Sequence, residues 1–258
     1  MLKISTKIPS PALFAALFVL IIGLYFPWVT LAKGFPNFHA EFSVHFLGFE
    51  LGTAYQSFQC QQTQCTLTSK AKPEGIVAKF VNEATEETIQ IEQTDQQFRW
   101  LSYHKVLTRH KSGQTLIKHT QLMRKQNQIV LLQSDTTNAW PVSDHLYDTI
   151  SIAYAITYRL GNQQALTPLI LQDDKGQYPL KLQTQTTESI ELPWLEDEVQ
   201  THYLKFDSRQ ATIRLWLLKQ PLNNKILPKS FKAFPAAVEV YNKDTRKTVE
   251  LILQAPPH

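Results

Sequence analysis

Alternation of apolar and polar residues is the feature that most limits how this chain can fold. In FHAEFSVHF, residues 38–46, every second side chain from Phe38 onwards is apolar and the intervening ones are His, Glu or Ser. This period of two is typical of a β-strand with one face in a core and one towards water. Shorter apolar alternations recur at 89–91, 180–182, 213–217 and 249–253. Turn sequences separate them, so we expect a mainly β protein, either a single curved antiparallel sheet or a partly closed β-barrel.

One segment, SDHLYDTISIAYAITYRLGN (residues 143–162), breaks the alternation. Ser143 is a suitable N-cap, and Gly161 is a suitable C-terminal stop that follows Arg159 in the last turn. Placed at about 100° per residue, its apolar side chains cover more than half of the helix circumference. We therefore expect one long helix from about Asp144 to Leu160, buried against the concave side of the sheet.

The N-terminus predicts export. Lys3 and Lys7 precede residues 12–28, which contain no charged side chain, and Thr30-Leu31-Ala32 follows as a small-residue cleavage site. A short basic segment before an apolar core is typical of a signal peptide.

We therefore predict that residues 1–32 are a signal peptide and that residues 33–258 form a single β-rich domain in the periplasm. The alternative is an uncleaved anchor formed by residues 12–32, because about 20 apolar residues suffice to cross a bilayer. The protein would then lie in the inner membrane and face the periplasm. In either case we expect membrane contact only through the N-terminal segment.

Cys60 and Cys65 are the only two cysteines in the chain. Residues 54–59 and 66–71 have the pattern of a hairpin, which would bring the two thiols within reach of each other. A catalytic pair would need C-x-x-C at the start of a helix, and a zinc site would need about four ligands. In an exported protein this spacing predicts a disulfide across the hairpin.

Charge excludes several classes of function. The full chain carries a net charge of +4, and residues 1–32 contribute two lysines and no acid, which leaves +2. A chain so nearly balanced lacks the basic excess typical of nucleic-acid binding, so we predict no nucleic-acid partner. With eight glycines in the whole chain, phosphate-binding loops and dinucleotide motifs are absent, and we predict no cofactor.

Three groups of polar residues have the residue types of catalytic or metal sites. Ser143-Asp144-His145 contains the residue types of a hydrolytic triad, but adjacent residues cannot converge on one point. Isolated strand histidines usually face solvent, so we predict no metal site at His104, His110 and His119. The third group is the acids around Trp194, which could flank a sugar in a glycosidase but also resemble a solvated loop: Glu188, Glu191, Glu196, Asp197 and Glu198.

Several short motifs resemble those of a known family. They are FLGFELG at 46–52, D-x-x-S-x-x-Y in the helical segment, LWLL at 215–218, Val238-Glu239-Val240 and a closing VELIL strand. This pattern is similar to the exported bacterial proteins grouped as domain-of-unknown-function family 3108, over roughly residues 36–254. Where that family commonly has an aspartate and a proline after the Trp strand, this chain has Lys219-Gln220-Pro221 and a basic insertion. The resemblance implies a periplasmic β fold and no established activity.

The functional prediction is a non-enzymatic binding or scaffolding protein of the envelope. Its partner would be a lipid-like, apolar or amphipathic component, or an envelope protein, held on the concave face. The candidate groove residues are Asp148, Ser151, Tyr154, Phe42, Phe46, Leu215 and Leu217. For the three polar residues the alternative is structural, since buried polar groups must find partners. The alternative function is a hydrolase of a cell-envelope polymer that uses the carboxylates near Trp194.

Overall fold

The computed structural model describes residues 34–74, 83–111, 114–133 and 136–258. These residues belong to one compact unit, Gly34–His258. The predicted signal peptide, with its alternative as an anchor, lies outside the described residues and stays a prediction. In the described part of the chain no helix is both long and apolar enough to cross a bilayer.

The described residues form fifteen strands and one helix. The strands are β1 (Phe38–Phe46), β2 (Phe49–Gln61), β3 (Gln64–Pro73), β4 (Glu83–Gln93), β5 (Phe98–Lys111), β6 (Gln114–Lys125), β7 (Gln128–Gln133), β8 (Thr136–Pro141), β9 (Leu146–Tyr147), β10 (Leu169–Gln172), β11 (Gln177–Ile190), β12 (Val199–Asp207), β13 (Ala211–Lys219), β14 (Ala233–Asn242) and β15 (Lys247–Leu253). The helix is α1 (Ser151–Gly161).

All fifteen strands belong to one sheet with two meandering halves. Strands β1 to β8 follow one another outwards in one direction, and β15 to β9 do so in the other. The halves join where β1 pairs with β15, for example with Phe42 opposite Leu253. The prediction of a mainly β protein with one curved sheet is confirmed.

One pair of strands departs from the antiparallel pattern. β9 and β10 are parallel, with Leu146 opposite Ile170. Helix α1 connects these two strands, and a crossover of this length returns the chain to the end from which it started. The sheet is therefore mixed rather than wholly antiparallel.

The sheet curls until its edge strand β9 reaches the inner face of β5. The hydroxyl of Tyr147 donates a hydrogen bond to the carbonyl of Phe98 at 2.8 Å. One residue further along, the carboxylate of Asp148 accepts one from the indole N–H of Trp100, also at 2.8 Å. This contact across the interior gives the sheet its barrel-like curvature and encloses α1.

Helix α1 begins at Ser151, so the predicted start near Asp144 is wrong. The intervening residues form a turn and β9, because Leu146 and Tyr147 pair with β10. Ser143 does not cap the helix, since its hydroxyl instead accepts the N–H of His145 at 3.2 Å. Every residue from Ser151 to Leu160 is buried, and α1 packs on β13, β14, β5 and β9. The predicted burial of the helix is confirmed.

The interior is closed at one end by aromatic rings and the disulfide. We define this closed end by the rings of Phe35, Phe38, Phe58, Phe231 and Phe234, whose neighbouring centroids lie 5.1–6.4 Å apart. Cys60 lies directly opposite Cys65 on β2 and β3, with their Cα atoms 4.0 Å apart, and the two form a disulfide. The predicted pairing is confirmed.

Candidate functional site

At the end of the interior away from the disulfide, the sheet and the start of α1 leave a cavity of about 330 Å³. We call this the open end. Its walls are largely apolar on the side of β1, β14 and β15, where the lining residues are Phe42, Val44, Pro235, Val238, Val240, Val249 and Leu251. The helix side consists of Thr149, Ile150, Ala153 and Tyr154. The strands alternate in direction, so this end also carries the β1–β2 and β14–β15 turns.

The opposite wall carries polar side chains in one continuous row across five strands. Gln56 lies opposite Ser69, Ser69 opposite Glu87, Glu87 opposite Lys105, and Lys105 opposite Thr120. We call these five residues the polar row. The first four line the cavity. Directly opposed residues have Cβ atoms about 5 Å apart, so neighbouring members of the row can interact.

The next inward positions towards the closed end are almost entirely apolar. They form an equivalent row across the same five strands: Phe58, Leu67, Ile89, Tyr103 and Leu122. All five are buried. The interior therefore changes from apolar to polar over a single step along the strands.

Glu87 and Lys105 are the charged pair in the row. Glu87 is only 6% exposed, and its carboxylate accepts the Lys105 ammonium at 3.0 Å. Burial raises the pKa of Glu87, and the charge of Lys105 opposes that rise in part. The lysine side chain is about one-third exposed. The pair therefore presents its cationic member to the opening and keeps its acid inside.

Tyr154 joins the helix to the row. Its hydroxyl donates to Oε1 of Gln56, and the Gln56 amide donates to the Ser69 hydroxyl at 3.3 Å. The partner of Tyr154 is therefore a side chain on β2. Burial raises the pKa of Tyr154, so the phenol stays protonated and acts as a donor. These three residues form a connected network on the cavity floor.

Asp148 and Ser151 build the start of the helix. The Asp148 carboxylate accepts the backbone N–H groups of Ile150 at 2.8 Å and Ser151 at 2.9 Å, and the Ser151 hydroxyl at 2.6 Å. Together with the Trp100 indole this makes four donors. Burial raises the pKa of Asp148 and these hydrogen bonds oppose the rise. A carboxylate at this position also suits the positive end of the helix dipole.

A second cavity, of about 300 Å³, adjoins the first. Lys105 and Thr149 line both, so they form the boundary between the two. Asp148 lines the second cavity, together with Tyr103, Lys118, Thr120, Gln172 and Asp173 among others. The amide of Gln172 donates to two backbone carbonyls, which leaves its Oε1 buried without a hydrogen-bond partner.

Three of the seven predicted groove residues line a cavity. Phe42 and Tyr154 line the first cavity, Asp148 lines the second, and Ser151 is buried beneath Asp148.

The remaining three do not line either cavity. Phe46 lies opposite Val249, which lines the first cavity, and the ammonium of Lys247 is 5.5 Å from its ring centre. Leu215 and Leu217 are fully buried on β13, where α1 packs directly on the sheet. The helix fills the concave face there and leaves it open near its own N-terminal end.

The histidines lie on the outer face of the β5–β6 hairpin. The His104 and His119 rings stack with nitrogens 3.4 Å apart, and His110 contacts the Thr115 hydroxyl at 2.9 Å. Among the described residues, no three His, Cys, Asp or Glu side chains are grouped to hold a metal ion.

The acids near Trp194 do not face a common cleft. Glu188 accepts the indole N–H of Trp216 at 3.0 Å. The other four, Glu191, Glu196, Asp197 and Glu198, are exposed in or beside the β11–β12 connection.

The polar row was not predicted from the sequence. A signal was present in EATEETIQIEQ, where Glu87 has the same strand parity as the core residues Ile89 and Ile91. Ser69 likewise shares the parity of Leu67 and Ala71 on β3. Polar residues at inward positions of consecutive strands identify such a site once the register is known.

No protein-family model and no curated protein matches the chain. Among solved structures, the chain is similar to a β-barrel-like protein of domain of unknown function DUF1849 from Brucella abortus. The two are 7% identical with a TM-score of 0.48, and the alignment covers 87% of this chain and 98% of that one. The fold described above rests on the strand pairing of this chain itself.

Proposed function

We propose that this protein is a non-enzymatic binding protein of the bacterial envelope, which holds an amphipathic envelope component in the open-end cavity. The observation that carries the proposal is the two-sided lining of that cavity. One wall is apolar, and the opposite wall is the polar row with its Glu87–Lys105 pair. An amphipathic molecule has surfaces that match both walls.

The apolar wall supplies the driving force. Val44, Leu251 and Val240 are only half-buried, and Val249 is 41% exposed. Covering apolar surface is favourable by roughly 25 cal/mol per Å². Ligand sites in proteins are commonly apolar cavities of about 300–1,000 Å³ with a few placed polar groups. An acyl chain laid against β1, β14 and β15 would bury these side chains.

The polar row supplies orientation. Lys105 is the charged side chain at the boundary of the two cavities and is partly exposed, so it is placed to meet an anionic or hydroxyl headgroup. The network of Tyr154, Gln56 and Ser69 holds the floor rigid beneath it. Rigid positioning lowers the entropy that a protein loses on binding.

Two further parts of the proposal come from the sequence. Export to the periplasm is supported by the disulfide, since disulfides persist in oxidising compartments. Membership of domain-of-unknown-function family 3108 stays a prediction on the motifs quoted above. The hydrolase alternative has no comparable support, because a catalyst needs converging groups and the acids near Trp194 are exposed.

Mass spectrometry of material bound to the protein as purified from the envelope tests the proposal. Ala71 lines the cavity, and Lys70 precedes it on the outer face of β3. Ala71→Trp should fill the cavity, and Lys70→Trp adds the same side chain outside it. We expect an amphiphile in stoichiometric amounts with wild type and Lys70→Trp, and little with Ala71→Trp. Equal amounts in both variants, or none in wild type, would contradict the proposal.

A further inference from the structure

Exposed apolar side chains gather at the open end. Among the described residues, eight large hydrophobic side chains are exposed, and five of them lie at or beside the hairpin ends that surround the cavity. We call these five the lip: Leu47, Phe49, Leu116, Ile117 and Val249. Phe49 is 74% exposed and Leu116 is 61% exposed. Such clustering differs from the scattered single exposures that are normal on a surface.

One side of the lip continues the apolar wall of the cavity. Val249 lines the cavity and lies opposite Phe46, and Phe46 lies opposite Phe49 across the β1–β2 turn. Leu47 is in that turn.

The other side of the lip is the β5–β6 hairpin. Lys118 lines the second cavity, and Leu116 is the next residue on the same strand face, opposite Arg109. Ile117 lies between them. The β1–β2 turn and the β5–β6 hairpin are therefore two apolar tips, each with exposed apolar side chains, on either side of the opening of the cavities.

Cations accompany the apolar tips. Lys118, Arg246 and Lys247 are exposed, and in the described part of the chain no carboxylate lies within 4.0 Å of any of them. Glu50, the exposed acid beside Phe49, and Glu250 both lie opposite His45, on the sheet face away from the cavity residues Val249 and Leu251.

The other acids at this end have polar partners or belong to the second cavity. Asp244, in the β14–β15 turn, accepts a hydrogen bond from the side-chain amide of Gln210. Glu83 pairs with Arg109, and Asp207 accepts Lys243 at 2.8 Å. Asp173 and Asp174 line the second cavity beside the hairpin. Lys118, Arg246 and Lys247 therefore lie beside the lip as unpaired cations, while Glu50 and Asp244 are exposed acids at the same end.

We infer that the lip docks on an anionic lipid surface and brings the cavity opening against it. This inference rests on the proposed function, because such a surface is where an amphipathic ligand enters or leaves. Apolar tips enter the boundary between headgroups and acyl chains, and neighbouring cations add attraction to anionic lipids. A second copy of this chain is a poorer occupant, since a two-fold contact would bring the cations of the two copies together.

A membrane contact at the lip was not predicted from the sequence, which indicated membrane contact through the N-terminal segment only. A lip contact lies at the opposite end of the interior from the disulfide, so it fixes which end of the domain faces the lipid.

Fluorescent labels at both ends of the protein test the inference. Phe49→Cys and Leu116→Cys each place a thiol on the lip, and Leu222→Cys places one on an exposed residue beyond the far end of β13. The native cysteines are disulfide-bonded, so the added thiol takes the environment-sensitive label. Protein isolated from the envelope is mixed with vesicles of phosphatidylcholine alone or with equimolar phosphatidylglycerol.

We expect the two lip labels to gain emission with the anionic vesicles and to be quenched by brominated acyl chains, while the Leu222→Cys label changes little. Arg246→Gln/Lys247→Gln should weaken vesicle binding roughly thirty-fold, because each cation near an anionic surface contributes about fivefold. Added salt should weaken wild-type binding through screening.

Three results would overturn the inference. The emission of the lip labels could stay unchanged with both kinds of vesicle. All three labels could instead respond alike, which would mean adsorption without a preferred orientation. Sedimentation could instead show a dimer that Phe49→Ala dissociates, which would mean that the lip binds a second copy of this chain. Binding of a dansyl-labelled undecanoic acid to Arg246→Gln/Lys247→Gln separates the two proposals, because cavity binding should persist when docking is lost.

Discussion

The two ends of the interior are built from the same strands but are lined in opposite ways. β1 begins at the closed end with Phe38, which is fully buried among aromatic rings, and ends at the open end with the half-exposed Phe46. β2 likewise changes from Phe58 to Gln56 within two residues. Strand alternation is the same at both ends, so it does not explain the difference. What differs is the type of residue at the inward positions, which is apolar at the closed end and in part polar at the open end.

This difference shows where stability and function are separated. Burying polar groups is costly unless they are paired, and an apolar row would stabilise the interior more simply. The closed end has such a row, whereas the open end keeps Glu87 and Lys105 beside a cavity. We interpret the closed end as the part that holds the fold and the open end as the part that binds.

The largest expected effect contrasts two phenylalanines. Phe234 is 0% exposed at the closed end, and its ring lies 5.1 Å from that of Phe38. Phe234→Ala should lower the free energy of unfolding by about 3–5 kcal/mol, because it leaves a cavity among rings. Phe49→Ala, at the open end, should change it by less than about 0.5 kcal/mol. Urea denaturation of both variants measures the contrast, and equal losses would contradict it.

Removal of the disulfide should destabilise the protein without affecting the cavity. Cys60 and Cys65 close a short loop at the closed end. Replacing both with Ser should cost about 2 kcal/mol, the loop entropy expected for so few residues. Thermal denaturation measures the loss, and amphiphile affinity should stay at the wild-type value. Loss of amphiphile binding in a folded double variant would contradict this prediction, because it would show that the closed end affects the cavity.

Tyr154→Phe probes the network that joins the helix to the polar row. The change leaves Oε1 of Gln56 buried without its donor. We expect a loss of about 1–2 kcal/mol in the free energy of unfolding. Tyr55→Phe on the outer face of β2 is the control, since Tyr55 is exposed. If both variants unfold at the same urea concentration, the network contributes nothing to stability.

The smallest expected effect is on pH dependence. Burial raises the pKa of Glu87 above its unfolded value, so the folded state holds this proton over a wider pH range. Stability from this group is present below about pH 4 and is lost as the pH rises from there through the folded pKa. Glu87→Gln should therefore flatten the fall in stability over that window.

Glu86→Gln is the matched control for this effect. Glu86 is the preceding residue on β4, is exposed and pairs with Lys70. Urea unfolding at a series of pH values should give a wild-type slope for Glu86→Gln and a shallower slope for Glu87→Gln. A residual slope is expected in the latter, because burial also raises the pKa of Asp148. Identical slopes would show that Glu87 does not titrate differently on folding.

Local patterns were sufficient to predict the fold class. The alternation in 38–46 predicted β1, and the wide apolar surface of the 143–162 segment predicted a buried helix. The start of that helix was wrong because β9 is only two residues long and carries no periodic signal. Its pairing with β10 depends on a contact formed only in the folded chain.

The site was harder to predict because it depends on register. Glu87 and Lys105 become opposite only when β4 and β5 pair as they do, and a one-residue slip would place them on different faces. Apolar parity alone predicted Phe46, Leu215 and Leu217 as groove residues. Parity identifies the inner face but not which part of that face the helix covers.

The central claim is that the open-end cavity binds an amphiphile. Titration with dansyl-labelled undecanoic acid, excited directly, tests it on wild type, Lys70→Trp and Ala71→Trp. Val249→Trp fills the cavity from the opposite wall, so the test does not depend on one variant folding. We predict saturable binding with blue-shifted emission for wild type and Lys70→Trp, and affinity at least about tenfold weaker, or about 1.4 kcal/mol, for the two filled variants. Unchanged affinity in folded Ala71→Trp and Val249→Trp would contradict the account.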